Sequence, residues 1–247
     1  MNPYDGRVCT RSGHLLAWDR AEIVLRPALP TPAVGVSLAE LRAAVATSAD
    51  AWNRALQGRR LPRVRVGAEA GERRVHQDGV SVVAFQTARS CAEDRTPCLG
   101  SDRSAVTHLY PVDVPGSAQD GLVSEADIEL NAIDFRWGSD HASALRAVLV
   151  HEIGHVLGLD HSCLPAGALG TACTDPVARS SAMYPNPLEP GRAFVLEPAE
   201  RDLRLLTAPE PHRATGGCHV AAHHPDASVA LLVVLCALAR RRRRRSC

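Results

Sequence analysis

The stretch His151-Glu152-Ile153-Gly154-His155-Val156-Leu157-Gly158-Leu159-Asp160-His161 reads H-E-x-x-H-x-x-G-x-x-H. At about one in twenty per residue type, a chain of this length would carry those five fixed positions by accident roughly once in ten thousand times, so accident is set aside. His151 and His155 are four residues apart and therefore lie one turn apart on one face of a helix. Two imidazoles so placed can reach one zinc ion at about 2.0–2.1 Å each. Glu152 falls about 100° round from His151, beside the metal without ligating it. Gly158 suits a left-handed exit from the helix, after which the chain turns back and His161 can supply a third nitrogen. Three protein ligands leave one position for water, which marks a catalytic site and not a structural one.

The residues upstream support the helix. Ser139 or Asp140 is expected to cap its start, and Leu145, Leu149, Ile153 and Val156 recur at helical spacing as a core-facing stripe. The chemistry follows from the parts. Zinc brings the pKa of a bound water towards ~7 and polarises a carbonyl. Glu152 can take the water proton and return it to a leaving amine. The expected reaction is metal-assisted hydrolysis of an amide, on a protein or peptide substrate, with one catalytic zinc.

About twenty residues after His161, Ser180-Ser181-Ala182-Met183-Tyr184-Pro185 resembles the Met-turn of the metzincin metallopeptidases. Within that clan, His161-Ser162 and Ala182-Met183-Tyr184-Pro185 resemble the matrixin family, peptidase family M10, which includes the matrix metalloproteinases. The resemblance implies an α+β, zincin-like catalytic domain with a twisted mixed sheet, an active-site helix packed beneath it and a C-terminal helix. It implies that Met183 forms a hydrophobic floor under the histidines. It also implies no fourth protein ligand, because Pro185 stands where some relatives place a ligating tyrosine. Weaker matches extend outward. Leu16-Ala17-Trp18 and Ile23-Val24-Leu25 resemble the family's first strand, and Gly121 to Asn131 its strand before the catalytic helix. Ser37 to Leu56 reads as an amphipathic helix capped by Ser37, and Pro198 to Leu206 as a closing helix.

The chain also departs from the family pattern. Matrix metalloproteinases carry a structural zinc held by several histidines; His108 matches one, but Glu129 stands where another is expected, so a single zinc is expected here. Calcium is a second candidate ion, because Asp113, Asp120, Glu125 and Asp127 offer hard oxygen ligands, although solvated loop carboxylates are the plainer reading. Cys9, in Arg7-Val8-Cys9-Thr10, does not match the family's inhibitory cysteine motif. Pro185-Asn186-Pro187 lacks the tyrosine that often shapes the specificity pocket.

At 247 residues the chain can hold one sizeable catalytic domain with appendages, and its 45% apolar content is ordinary for a globular protein. All 28 basic residues are arginine. Six of them, with Asp226, give residues 218–247 a charge of +5, which leaves −4 for the rest and argues against a nucleic-acid binder. Of the 8 cysteines, Cys91 with Cys98 and Cys163 with Cys173 are candidate disulfides, a pattern suited to an oxidising compartment.

Three segments are expected: a metallopeptidase domain over 1–206, a Pro/Gly-rich linker over 207–217, and a tail over 218–247. The tail joins Cys218, the short apolar run Ala227 to Ala239 and the cluster Arg240 to Arg245, and it resembles sorting tails of bacterial surface proteins of the myxobacterial type. The run falls short of the ~20 residues of a spanning helix. Cys218 is the candidate anchoring residue, and the resemblance implies membrane association through the tail and an extracellular or cell-surface location. Met1 to His14 is polar, without the apolar core of a secretory leader, so a start further upstream is expected. The domain is expected to be a monomer. The competing reading is a catalytically silent surface adhesion protein that keeps the zinc fold, but such a protein has no chemical need for Glu152.

Overall fold

The computed structural model describes residues 10, 12–72, 75–88, 99–163 and 173–203. Cys91, Cys98, Cys218, the linker, the tail and the end of the expected closing helix lie outside them.

Five strands and two long helices frame the site. The strands are β1 (Glu22–Pro27), β2 (Arg63–Val66), β3 (Val82–Gln86), β4 (Ala105–Pro111) and β5 (Val123–Asn131). They form one sheet in the order β2-β1-β3-β5-β4, parallel except for β4, which runs antiparallel to β5 at the sheet edge. The fold is thus α+β with a mixed sheet. Leu16 to Trp18 does not extend β1; Ala17 instead makes an isolated parallel bridge to Leu122.

The helix α1 (Leu38–Ala55) connects β1 to its parallel neighbour β2. Its start is fixed by a capping box: the Glu40 amide donates to the Ser37 hydroxyl, and the Ser37 amide donates to the Glu40 carboxylate. Leu41, Val45, Ala49 and Trp52 line its buried face at helical spacing.

The second long helix, α2 (Ala142–Val156), carries the zinc motif and packs against α1 and β4. It is buried almost all round, because Ala144, Ala147, Val148 and Val150 join the predicted stripe of Leu145, Leu149, Ile153 and Val156. Two tryptophans grip it: Trp52 donates its indole N–H to the Val150 carbonyl at 2.8 Å, and Trp18 to the Val156 carbonyl at 2.7 Å. The expected cap is not there. A 3₁₀ turn over Ser139–His141 leads into α2, so the N-cap position falls to His141, which makes no side-chain cap bond. Its amide is satisfied by the Gly138 carbonyl, so the turn takes over part of the work of a capping side chain.

The strand β5 is the structural centre. Its two faces alternate in chemistry and both are buried. Ala126, Ile128 and Leu130 join the main core with α1 and α2. On the opposite face stand Glu125, Asp127, Glu129 and Asn131, none more than 4% exposed. Two short helices close the described chain, α3 (Pro176–Arg179) and α4 (Glu200–Leu203).

Candidate metal centre

The exit of α2 brings the third histidine back to the first two. Gly158 has φ 94°, a left-handed conformation open to glycine. Its amide donates to the His155 carbonyl at 2.9 Å, and the Leu159 amide reaches back to the Gly154 carbonyl at 3.0 Å. This pair of bonds is a Schellman motif, which ends the helix and reverses the chain. The Ser162 amide then donates to the Met183 carbonyl at 2.8 Å, tying the segment after His161 to the Met-turn.

His151, His155 and His161 are brought together, each offering a ring nitrogen within 4.8 Å of the others. Two of the rings have their tautomer set by neighbours that only accept. The His151 Nδ1 donates to the Ala182 carbonyl at 2.8 Å, and the His155 Nδ1 donates to the Leu159 carbonyl at 2.7 Å. In the neutral rings both Nε2 atoms then carry lone pairs, and these face each other at 3.1 Å. Two acceptors in that relation cannot bond one another, and a cation between them removes the conflict. Burial, followed by the neighbouring His155 and His161, holds His151 well below the usual histidine range. Burial pushes His161 down to about 4, with His155 acting in the same direction. Neutral imidazoles at neutral pH are what a metal requires.

Glu152 lies on the same helix and is 4% exposed. Burial raises its pKa, against the opposing pull of His155 and of the hydrogen bond from Thr107. The Thr107 hydroxyl on β4 sits 2.6 Å from its Oε2. Nothing in the local sequence marks Thr107, because its meaning depends on a helix forty-five residues away.

Met183 is fully buried beneath the histidine helix, where its Sδ packs against the backbone of Gly154. A Cβ at Gly154 would collide with that sulfur and would lie 2.9 Å from Cζ2 of Trp52. The turn itself is pinned from behind. The Met183 amide donates to the Ser181 hydroxyl at 2.9 Å. That hydroxyl in turn donates to Asp202 of α4, a buried carboxylate that also accepts from the Ala199 amide at 2.8 Å. Sequence reading missed Asp202. Arg192 clamps the other side, donating to the Arg179 and Ser181 carbonyls at 2.7 Å each, with its guanidinium 4.8 Å from the Tyr184 ring centre. Cys163 and Cys173 are joined in a disulfide, whose half-cystines pack with Ala178 and Tyr184 next to this turn.

The remaining predicted positions fall elsewhere. His108 Nε2 lies 3.2 Å from Glu129 Oε2 in a buried pair on the sheet face away from α2. Glu125 accepts the Asp78 amide at 3.0 Å, and Asp127 accepts the His76 amide at 3.0 Å and the Val82 amide at 2.8 Å. Asp120 accepts from Ser12 and, at 2.7 Å, from the His14 ring. Glu125, Asp127 and Asp120 are therefore buried acceptors and not solvated loop carboxylates. Among the described residues the three histidines are the one group gathered closely enough to hold an ion; Asp113, Asp120, Glu125 and Asp127 form no such group.

A mixed sheet over a buried H-E-x-x-H helix, a glycine exit to a third histidine and a methionine floor define the metzincin class of metallopeptidase domains. Residues 74–174 match the matrixin family of M10 peptidases, and the chain carries a matrixin-like metallopeptidase domain. The matched segment holds β3, β4, β5, α2 and all three histidines, and stops short of Met183. No curated protein matches the chain significantly. The family implies zinc, and the donor set fits it: three nitrogens and, among the described residues, no carboxylate in the group.

Proposed function

We propose that this protein is a zinc-dependent endopeptidase that cleaves extended segments of protein substrates, with His151, His155 and His161 holding the ion and Glu152 acting as general base and then acid. The observation that carries this reading is the conjunction of lone pairs converging from His151 and His155 with a buried, raised-pKa carboxylate on the intervening turn. A binding protein would need the first and not the second.

Zinc, when bound, supplies Lewis acidity towards the scissile carbonyl and towards water. The protein's own groups supply the rest. Glu152 accepts a proton from water as its oxygen attacks the carbonyl carbon, and delivers that proton to the amine nitrogen as the C–N bond breaks. Burial raises the Glu152 carboxyl above the ordinary carboxylate range, which makes it the stronger base towards water. The strand β4 supports an extended substrate. It is the sheet edge, it lies beside α2, and among the described residues no strand covers its outer side. A peptide laid along it would gain main-chain hydrogen bonds while its scissile bond faces the histidines.

The test is hydrolysis of casein by the purified chain, with and without a zinc chelator. Activity should vanish on chelation and return with added zinc. Glu152→Gln should keep one zinc per chain yet lose roughly 10³-fold or more in kcat, because proton transfer and transition-state charge are lost together. Near-normal turnover by Glu152→Gln would end the mechanism. A zinc-loaded wild type without hydrolysis would favour the silent adhesion reading instead.

A further inference from the structure

We propose that Thr107 is a positioning residue for Glu152: its hydroxyl holds Oε2 of the carboxylate and thereby leaves Oε1 as the atom that exchanges a proton with water. The inference rests on the endopeptidase reading and adds a residue to it.

The geometry is specific. Thr107 stands on the edge strand β4, on the same sheet face as Ile128, to which it is paired. That face looks onto α2, and Thr107 Oγ1 reaches both the Glu152 carboxylate at 2.6 Å and the Glu152 main-chain carbonyl at 3.2 Å. A hydroxyl has one proton to give. The shorter contact to the charged acceptor takes it, since charge-assisted O–H···O⁻ bonds are the shorter and stronger kind. Among the described residues no other side chain hydrogen-bonds to Glu152.

The terminal torsion of a glutamate is broad and nearly twofold, so the helix places the carboxyl carbon without choosing which oxygen faces the cleft. A donor fixed on a neighbouring strand makes that choice. It also satisfies a carboxylate oxygen that burial would otherwise leave unpaired. The strand that would align the substrate therefore also orients the base, so docking and proton transfer share one rigid element.

The experiment compares wild type, Thr107→Val and Thr107→Ser, each loaded with one zinc. Valine keeps the branched shape and removes the hydroxyl, and serine keeps the hydroxyl and removes the methyl. Thr107→Val should lose roughly 10–100-fold in kcat, with KM within about twofold of wild type. Thr107→Ser should recover most of the loss. A second readout does not use turnover: in crystal structures of the zinc-free variants, the carboxylate of Glu152 should keep its wild-type orientation in Thr107→Ser and turn in Thr107→Val. An active wild type with an inactive Glu152→Gln and an undiminished Thr107→Val overturns the role of Thr107 alone. So does a Thr107→Ser as slow as Thr107→Val, which would assign the loss to packing, or a carboxylate unmoved in Thr107→Val. An inactive, zinc-loaded wild type overturns the endopeptidase reading and this inference with it.

Discussion

The two faces of β5 are equally dry and are built from opposite materials. Towards α2 the strand presents Ala126, Ile128 and Leu130, whose side chains pack into the main core. Away from α2 it presents Glu125, Asp127, Glu129 and Asn131, and that face is held by hydrogen bonds. The carboxylates take up the amides of the loop from His76 to Val82, and Asn131 donates to the Arg103 carbonyl at 2.9 Å. Apolar packing is short-ranged and insensitive to pH, so it suits the face that must hold a catalytic helix to a fraction of an ångström. Carboxylate-to-amide bonds are directional and titratable, and they suit an irregular loop whose amides need acceptors.

Cutting into the apolar face should have the largest effect on stability. Ile128 is fully buried, and Ile128→Ala should cost about 2–5 kcal/mol, read as a lower denaturant midpoint with an unchanged slope. That cost should be the same at pH 5 and pH 8. A loss that depends strongly on pH would erase the distinction between the faces.

The polar face should show the reverse dependence. Asp127 is pushed up to about 7, first by burial and then by the nearby charges of Glu125 and Asp78, against the amides of Val82 and His76. The titratable groups on its side of the sheet include Glu125 and Glu129 on its own strand, His76 and Asp78 on the covering loop, and, on β4, its cross-strand partner His108 and Tyr110, whose hydroxyl lies 3.5 Å away. Its folded pKa exceeds its unfolded value, so the folded state binds the extra proton between the two. The stability this contributes is fully present below about 4 and is lost as pH rises through about 7, with a limit of about 4 kcal/mol. Asp127→Asn removes that titration. Unfolding curves of wild type and variant in the same chelator-containing buffers should diverge across this window and run parallel above it. Parallel curves throughout would show that Asp127 does not carry the proton.

The outer surface provides the smallest effect. Arg54 and Arg146 both reach Glu197, at 2.8 and 2.9 Å, and the Arg54 and Glu197 side chains are more than half exposed. Arg54→Ala should cost under about 1 kcal/mol and lose even that at high salt. A cost comparable to that of Ile128→Ala would mean that surface charge, and not either face of β5, organises this side of the domain.

The same contrast governs what could be read in advance. The histidine helix, its glycine exit, the cap at Ser37 and the strand ending at Asn131 are local patterns, in which the partner lies within a few residues. Thr107 and Asp202 were not legible, because each acquires its role from a partner brought in by the tertiary fold, at separations of 45 and 21 residues. Glu125 and Asp127 were read as solvated carboxylates, since nothing within their own strand shows what covers that face. Only the covering loop, some 45 to 50 residues upstream, buries them. The missing cap at α2 is a smaller case: Ser139 and Asp140 have the right chemistry, but the turn they form displaces the helix start to His141.

Gly154 sits in the middle of the turn that carries His151 and His155, and glycine is a poor helix former, costing about 0.5–1 kcal/mol relative to alanine. Elsewhere on an exposed helix, replacing such a residue is a routine way to raise thermal stability. In α2 the missing methyl is the space that lets Met183 and Trp52 approach the main chain. Intrinsic propensity and close approach therefore conflict at this position, and close approach prevails. A stability-engineering effort guided by helix propensity alone would choose Gly154 early, and it would drive a wedge between the methionine floor and the two histidines above it.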